Sequence, residues 1–146
     1  METNIENKNY TFSFESSQTP EDIFEIVTDV RKWWVGLFGE EIEGSSDILN
    51  KEFTFKAGDG LHYTKQVLSE LVQNQKVFWK VIESNLSFAE KTDEWNNTEF
   101  GFEISRHGNK SKVTFTHYGL VPKFECYGNC AGAWTQYLEN LAEKLK

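Results

Sequence analysis

Lys112-Val113-Thr114-Phe115-Thr116-His117-Tyr118-Gly119-Leu120-Val121-Pro122, followed by the segment from Glu125 to Leu145, decides the fold. In the first part Val113, Phe115 and His117 alternate with polar residues, the period of a strand with one buried face. The second part changes period. Trp134, Leu138, Leu141 and Leu145 recur at three- and four-residue steps with Tyr137 beside them, which is one face of a helix. At 1.5 Å per residue that helix is about 30 Å long and can cross a small domain. A strand-rich chain that ends in such a helix needs a curved sheet to receive it. Where sheet and helix do not meet fully, a pocket results.

Upstream, the same two periods give the rest of the order. Tyr10, Phe12 and Phe14 alternate as a strand. Thr19-Pro20-Glu21-Asp22 is a helix start, with a capping hydroxyl, proline in the first turn and acids at the positive end of the dipole. Ile23, Phe24, Ile26 and Val27 give that helix its apolar face, and a second short helix or turn begins at Arg31-Lys32-Trp33-Trp34. From Glu41 to Tyr118 the pattern is strands and turns. Phe53, Phe55 and Ala57 lead into the turn Gly58-Asp59-Gly60, and Leu61–Leu71 is long enough to require a bend or bulge. Val77–Val81, Phe100–Ile104 and Val113–His117 complete the set, with residues 84–97 read as a loop or broken strand. The expected class is α+β: about six or seven antiparallel strands around a long C-terminal helix, with two short helices after the first strand.

Composition narrows the function. The chain has 146 residues, the length of one domain able to bury about two-thirds of its unfolded surface. It is read as one domain, 1–146, with residues 1–8 frayed. The net charge is −8, the wrong sign for nucleic acid or an anionic membrane. The polar N-terminus carries no signal-peptide pattern and no 18-residue apolar run occurs, so the expected location is the cytoplasm. Cys126 and Cys130 stand four apart on the helix, without the tight knuckle of a zinc site, and read as reduced thiols. No metal or cofactor is expected. Aromatic residues, at 15%, are abundant enough to build a cavity as well as a core.

This order resembles the helix-grip fold of the START-like (SRPBCC) superfamily. It is most similar to the bacterial branch that resembles the C-terminal domain of the activator of the 90-kDa heat-shock chaperone ATPase. The residues carrying the resemblance are Ser84–Phe88, Asp93-Glu94-Trp95, Phe115–Pro122, Glu125-Cys126-Tyr127, Cys130, Ala133-Trp134 and Tyr137-Leu138. It implies a sheet curled around the last helix with an apolar cavity between them.

The candidate cavity residues are Trp34, Phe55, Tyr63, Trp79, Phe102, Phe115, His117, Trp134 and Tyr137, with Trp95 a further aromatic anchor. His117 shares a face with Val113 and Phe115. It is therefore either a cavity imidazole that binds a ligand or moves a proton, or a core histidine with satisfied nitrogens. His62 and His107 lie in or beside turns. Three functions are compatible with this set. The first is a binding module for a small apolar or aromatic molecule, with His117 orienting it and Trp134 or Tyr137 stacking on it. The second, implied by the resemblance alone, is a co-chaperone using an exposed aromatic patch around Trp33 or Phe38. The third is a cyclase or dehydratase with His117 as acid/base and Tyr63 or Tyr137 as a second polar group.

Overall fold

The computed structural model describes residues 9–87, 92–120 and 127–146. Seven strands form one antiparallel sheet: β1 Tyr10–Ser16, β2 Glu41–Gly44, β3 Glu52–Ala57, β4 His62–Val72, β5 Lys76–Leu86, β6 Glu99–His107 and β7 Lys110–Tyr118. Their order across the sheet is β1-β7-β6-β5-β4-β3-β2, so every neighbouring pair but one is consecutive in sequence. The exception, β1 on β7, pairs Phe12 with Phe115 and Phe14 with Val113 and joins the first strand to the last.

Helix α1, Pro20–Val27, starts as its sequence dictates: Thr19 caps it, its hydroxyl accepting the Asp22 N–H at 3.1 Å, and Pro20 occupies the first turn. A single 3-10 turn, Val30–Lys32, follows and delivers Trp33 and Trp34 into the core. The C-terminal helix α2, Tyr127–Lys144, lies against the sheet, and Trp134, Tyr137, Leu138 and Leu141 of it are buried, as is Leu145 just beyond its end. Among the described residues, polar contacts tie the C-terminal segment to β1: the hydroxyls of Tyr10 and Thr135 share a hydrogen bond of 2.7 Å, and Ser16 Oγ donates to the carbonyl of Leu145, just past α2, at 2.5 Å.

Two elements differ from the sequence reading or sharpen it. β4 is long and irregular as expected, with register shifts against β5 at Lys65/Gln66 and Leu68/Glu70. β5 does not stop near Val81. It continues to Leu86, pairing Ser84 with Thr64 and Leu86 with His62. The residues 82–86 are mostly polar because one face of this stretch meets solvent, while Ser84 and Leu86 turn inward. The expected helix start at Glu125 and the thiol of Cys126 lie outside the described residues.

The core is a stack of rings. Trp134 has Phe115, Trp34, Phe100 and Trp95 within 4.6–5.8 Å, centroid to centroid. Trp34 lies flat on Phe55 at 3.7 Å and 9°. One residue from the long helix thus meets rings from β6, β7, the 3-10 connection and the loop before β6.

Candidate functional site

Beside this stack, between β3, β4 and α2, is a cavity of about 250 Å³. Its aromatic wall is Trp34, Phe55, Trp95, Trp134 and Tyr137; Ala57, Leu61, His62, Cys130 and Ala133 supply further parts of the wall. Phe38 and Leu61, 42% and 52% exposed, stand where it meets solvent. Short residues make the space: Ala57 and Gly58 at the end of β3 and Ala133 on α2 leave room that a larger side chain would fill. An apolar cavity of about 150 Å³ already accepts benzene. This one has room for a flat molecule of one or two rings.

The polar groups around the cavity are ordered by a directional chain of hydrogen bonds. The Trp134 indole N–H can only donate, and it meets His117 Nδ1 at 3.0 Å. His117 is therefore the tautomer with its proton on Nε2, which donates to Thr98 Oγ1 at 2.8 Å. Thr98 passes its own proton to the Trp95 carbonyl at 2.6 Å. His117 is fully buried, and burial, with the neighbouring His62, holds its pKa down at about 3. It is a neutral ring with both nitrogens engaged, locking the two tryptophans Trp95 and Trp134 that face each other at 5.8 Å.

His62 begins β4 and its ring meets Trp95 and Phe55 edge to face at 4.8 and 5.5 Å. Burial depresses its pKa to about 4, so it too is neutral near pH 7. At the opposite side Tyr137 donates its phenolic proton to Glu40 at 2.5 Å. Burial raises the Tyr137 pKa, and the Glu40 carboxylate raises it further. For Glu40 itself burial acts upward, but the hydrogen bonds from Tyr137 and from the backbone outweigh it and leave the carboxyl below its ordinary value.

Of the nine candidates, Trp34, Phe55, Trp134 and Tyr137 come together on the cavity wall. Trp79, Phe102, Phe115 and His117 are fully buried and are not part of its lining. Alternation places Tyr63 on the face of β4 opposite His62 and Thr64, beside Glu83. Trp33, offered as part of an exposed patch, is buried and donates its indole N–H to the Val27 carbonyl at 2.9 Å. Phe38 is exposed. Sequence reasoning placed His62 in or beside a turn and Leu61 at the start of a long strand, and named neither as a cavity residue. Counting back in twos from Leu68 through Gln66 and Thr64 reaches His62 on the buried face, so the signal was present.

Among the described residues no cluster of His, Cys, Asp or Glu could hold a metal ion, and no helix is long and apolar enough to cross a membrane. Comparison with known proteins gives a consistent picture. The profile of the family described as Activator of Hsp90 ATPase homolog 1-like protein matches residues 17–146. No curated protein matches the sequence. Among solved structures, the Aha1 dimer from Colwellia psychrerythraea is 21% identical, with a TM-score of 0.72 over 94% of this chain and 96% of that one. The AHSA1 protein from Silicibacter pomeroyi is 17% identical, with a TM-score of 0.68 over 94% and 97%. DynU16, a protein of the dynemicin biosynthetic locus, is 12% identical, with a TM-score of 0.66 over 94% of this chain but 46% of its own. These likenesses carry the fold; the profile match, which runs through β2–β7 and both helices, carries the family. The chain belongs to the family of Activator of Hsp90 ATPase homolog 1-like proteins.

Proposed function

We propose that the protein binds a small, flat, apolar or aromatic molecule in the cavity between sheet and C-terminal helix. The observation that carries this reading is the cavity itself: about 250 Å³, walled by five aromatic rings and meeting solvent beside Phe38 and Leu61. Burying apolar surface there is favourable by about 25 cal/mol per Å². The ring stack behind the wall is already packed, so little ordering cost falls on binding. His117 serves as a brace for the wall, since both its nitrogens are committed to Trp134 and Thr98. That arrangement does not favour a proton-transfer role for His117, which would need one nitrogen turned to a substrate.

Native mass spectrometry of protein purified gently from its own cells tests the proposal. A reproducible extra mass that leaves on denaturation supports it, and fragmentation assigns the class. A clean mass at every preparation counts against a resident ligand. The second reading, surface binding to a 90-kDa heat-shock chaperone, is favoured by the family match alone. A pull-down with purified chaperone tests it, and a Phe38→Ser variant that still binds as the unmodified protein does would remove the exposed ring from that role.

A further inference from the structure

The connection between the 3-10 turn and β2 brings Phe38 to the cavity mouth, and one carboxylate, Glu40, both orders this segment and ties it to α2. Glu40 accepts the N–H groups of Gly36 at 2.8 Å and of Leu37 and Phe38 at 3.1 Å each. These three bonds are internal to residues 36–40 and make the segment one ordered unit. The same carboxylate accepts the Tyr137 phenol of α2 at 2.5 Å. Phe38 rests edge-on against the Tyr137 ring at 6.0 Å and 74°. Its carbonyl accepts the Gly58 N–H at 2.9 Å from the turn on the other rim, and Leu37 leans on the edge of the core.

On either side of Phe38 are glycines with positive φ, Gly36 at +96° and Gly39 at +65°, and a side chain at either would meet nothing within 4 Å. They are free to absorb a change of backbone direction. Because both glycines lie within residues 36–40, a swing at Gly36 parts the Gly36–Glu40 bond and a swing at Gly39 parts the Leu37 and Phe38 bonds to Glu40, so the strap moves at the cost of some of its internal bonds. Among the described residues, the ties to the rest of the molecule that must part are the Tyr137–Glu40 bond, the Gly58–Phe38 bond and the apolar contacts of Phe38 and Leu37.

We propose that residues 36–40 are a hinged strap over the cavity, latched by the Tyr137 hydroxyl on Glu40, and that ligand enters and leaves when the strap lifts. The proposal rests on the cavity reading. It predicts a specific effect of Tyr137→Phe, which keeps the ring and removes the latch. A hydrogen bond to a charged group accounts for roughly tenfold or more in an equilibrium. Hydrogen exchange of the Gly58 amide is therefore expected to accelerate about tenfold in Tyr137→Phe. The association rate of fluorobenzene, read by 19F exchange spectroscopy, is expected to rise by a similar factor. Loss of a mere ligand contact does not accelerate association. Glu40→Gln, a change outside the cavity lining, is expected to shift both readouts in the same direction. Unchanged Gly58 exchange and an unchanged or slower association rate in both variants would overturn the strap. If fluorobenzene gives no saturable signal with the unmodified protein, the cavity reading falls, and with it the strap's purpose, whatever the Gly58 amide does.

Discussion

His117 shows how little a residue's chemistry can be read from its type. Alternation placed it correctly on the inner face, but only the structure shows that Trp134 and Thr98 take both its nitrogens. The consequence is energetic. Thr98→Val would leave the Nε2–H buried and unpaired, and is expected to cost about 1–3 kcal/mol in urea denaturation. Acid should act through the same ring and through His62. An unfolded imidazole takes up its proton near pH 6.5, whereas the folded ones do so only near pH 3 and 4. Between these values the unfolded chain binds more protons, so stability falls as pH falls. The slope is up to about 1.4 kcal/mol per pH unit for each ring and flattens once the folded rings titrate. Glu40, whose pKa is lowered on folding, adds a loss in the same direction below its ordinary range near 4.5. Melting curves from pH 7 to 4 check this, and His62→Phe should flatten the pH 5–6 portion.

At the scale of elements, local rules and packing agree over most of the chain. The capped start of α1 needed only Thr19-Pro20-Glu21-Asp22, and Thr19→Ala is expected to cost about 1 kcal/mol. The period change at Tyr118 located β7 and α2 because both elements bury one face and expose the other. β5 was cut short because its polar outer residues mimic a loop when read without their partner strand. Gly101 carries information that no periodicity shows. A Cβ there would sit 2.0 Å from the Val77 carbonyl and 2.8 Å from the Phe78 ring, which lies beside Tyr118 at 5.7 Å. Gly101→Ala must therefore push β5 and β6 apart, and we expect a loss of several kcal/mol, measured by chemical denaturation.

For the molecule as a whole, the sheet-and-helix architecture was legible because it is written in long, repeated periods, and the cavity was legible only in part. Phe55, Trp134 and Tyr137 were identifiable as large rings on periodic faces, and Trp34 as one of an excess of aromatic residues. Trp95 reaches the wall from the turn-rich segment before β6, where no period exists to orient it, and Ala57 and Ala133 contribute by being small. Which of many buried rings border empty space depends on volumes summed over four elements, and no window of sequence contains that sum. The cavity makes a whole-molecule prediction. Ala133→Leu should fill it, raising the melting temperature by a few degrees or leaving it unchanged, and abolish binding of fluorobenzene.

The most direct measurement is a 15N-resolved NMR titration of the unmodified protein with fluorobenzene. The account predicts saturable shifts centred on the Gly58 and Ala133 amides and the Trp134 indole N–H, with Tyr63 and Thr114 on the other face of the sheet unmoved. Shifts that grow without saturation, or that centre on Tyr63 and Thr114, would contradict it.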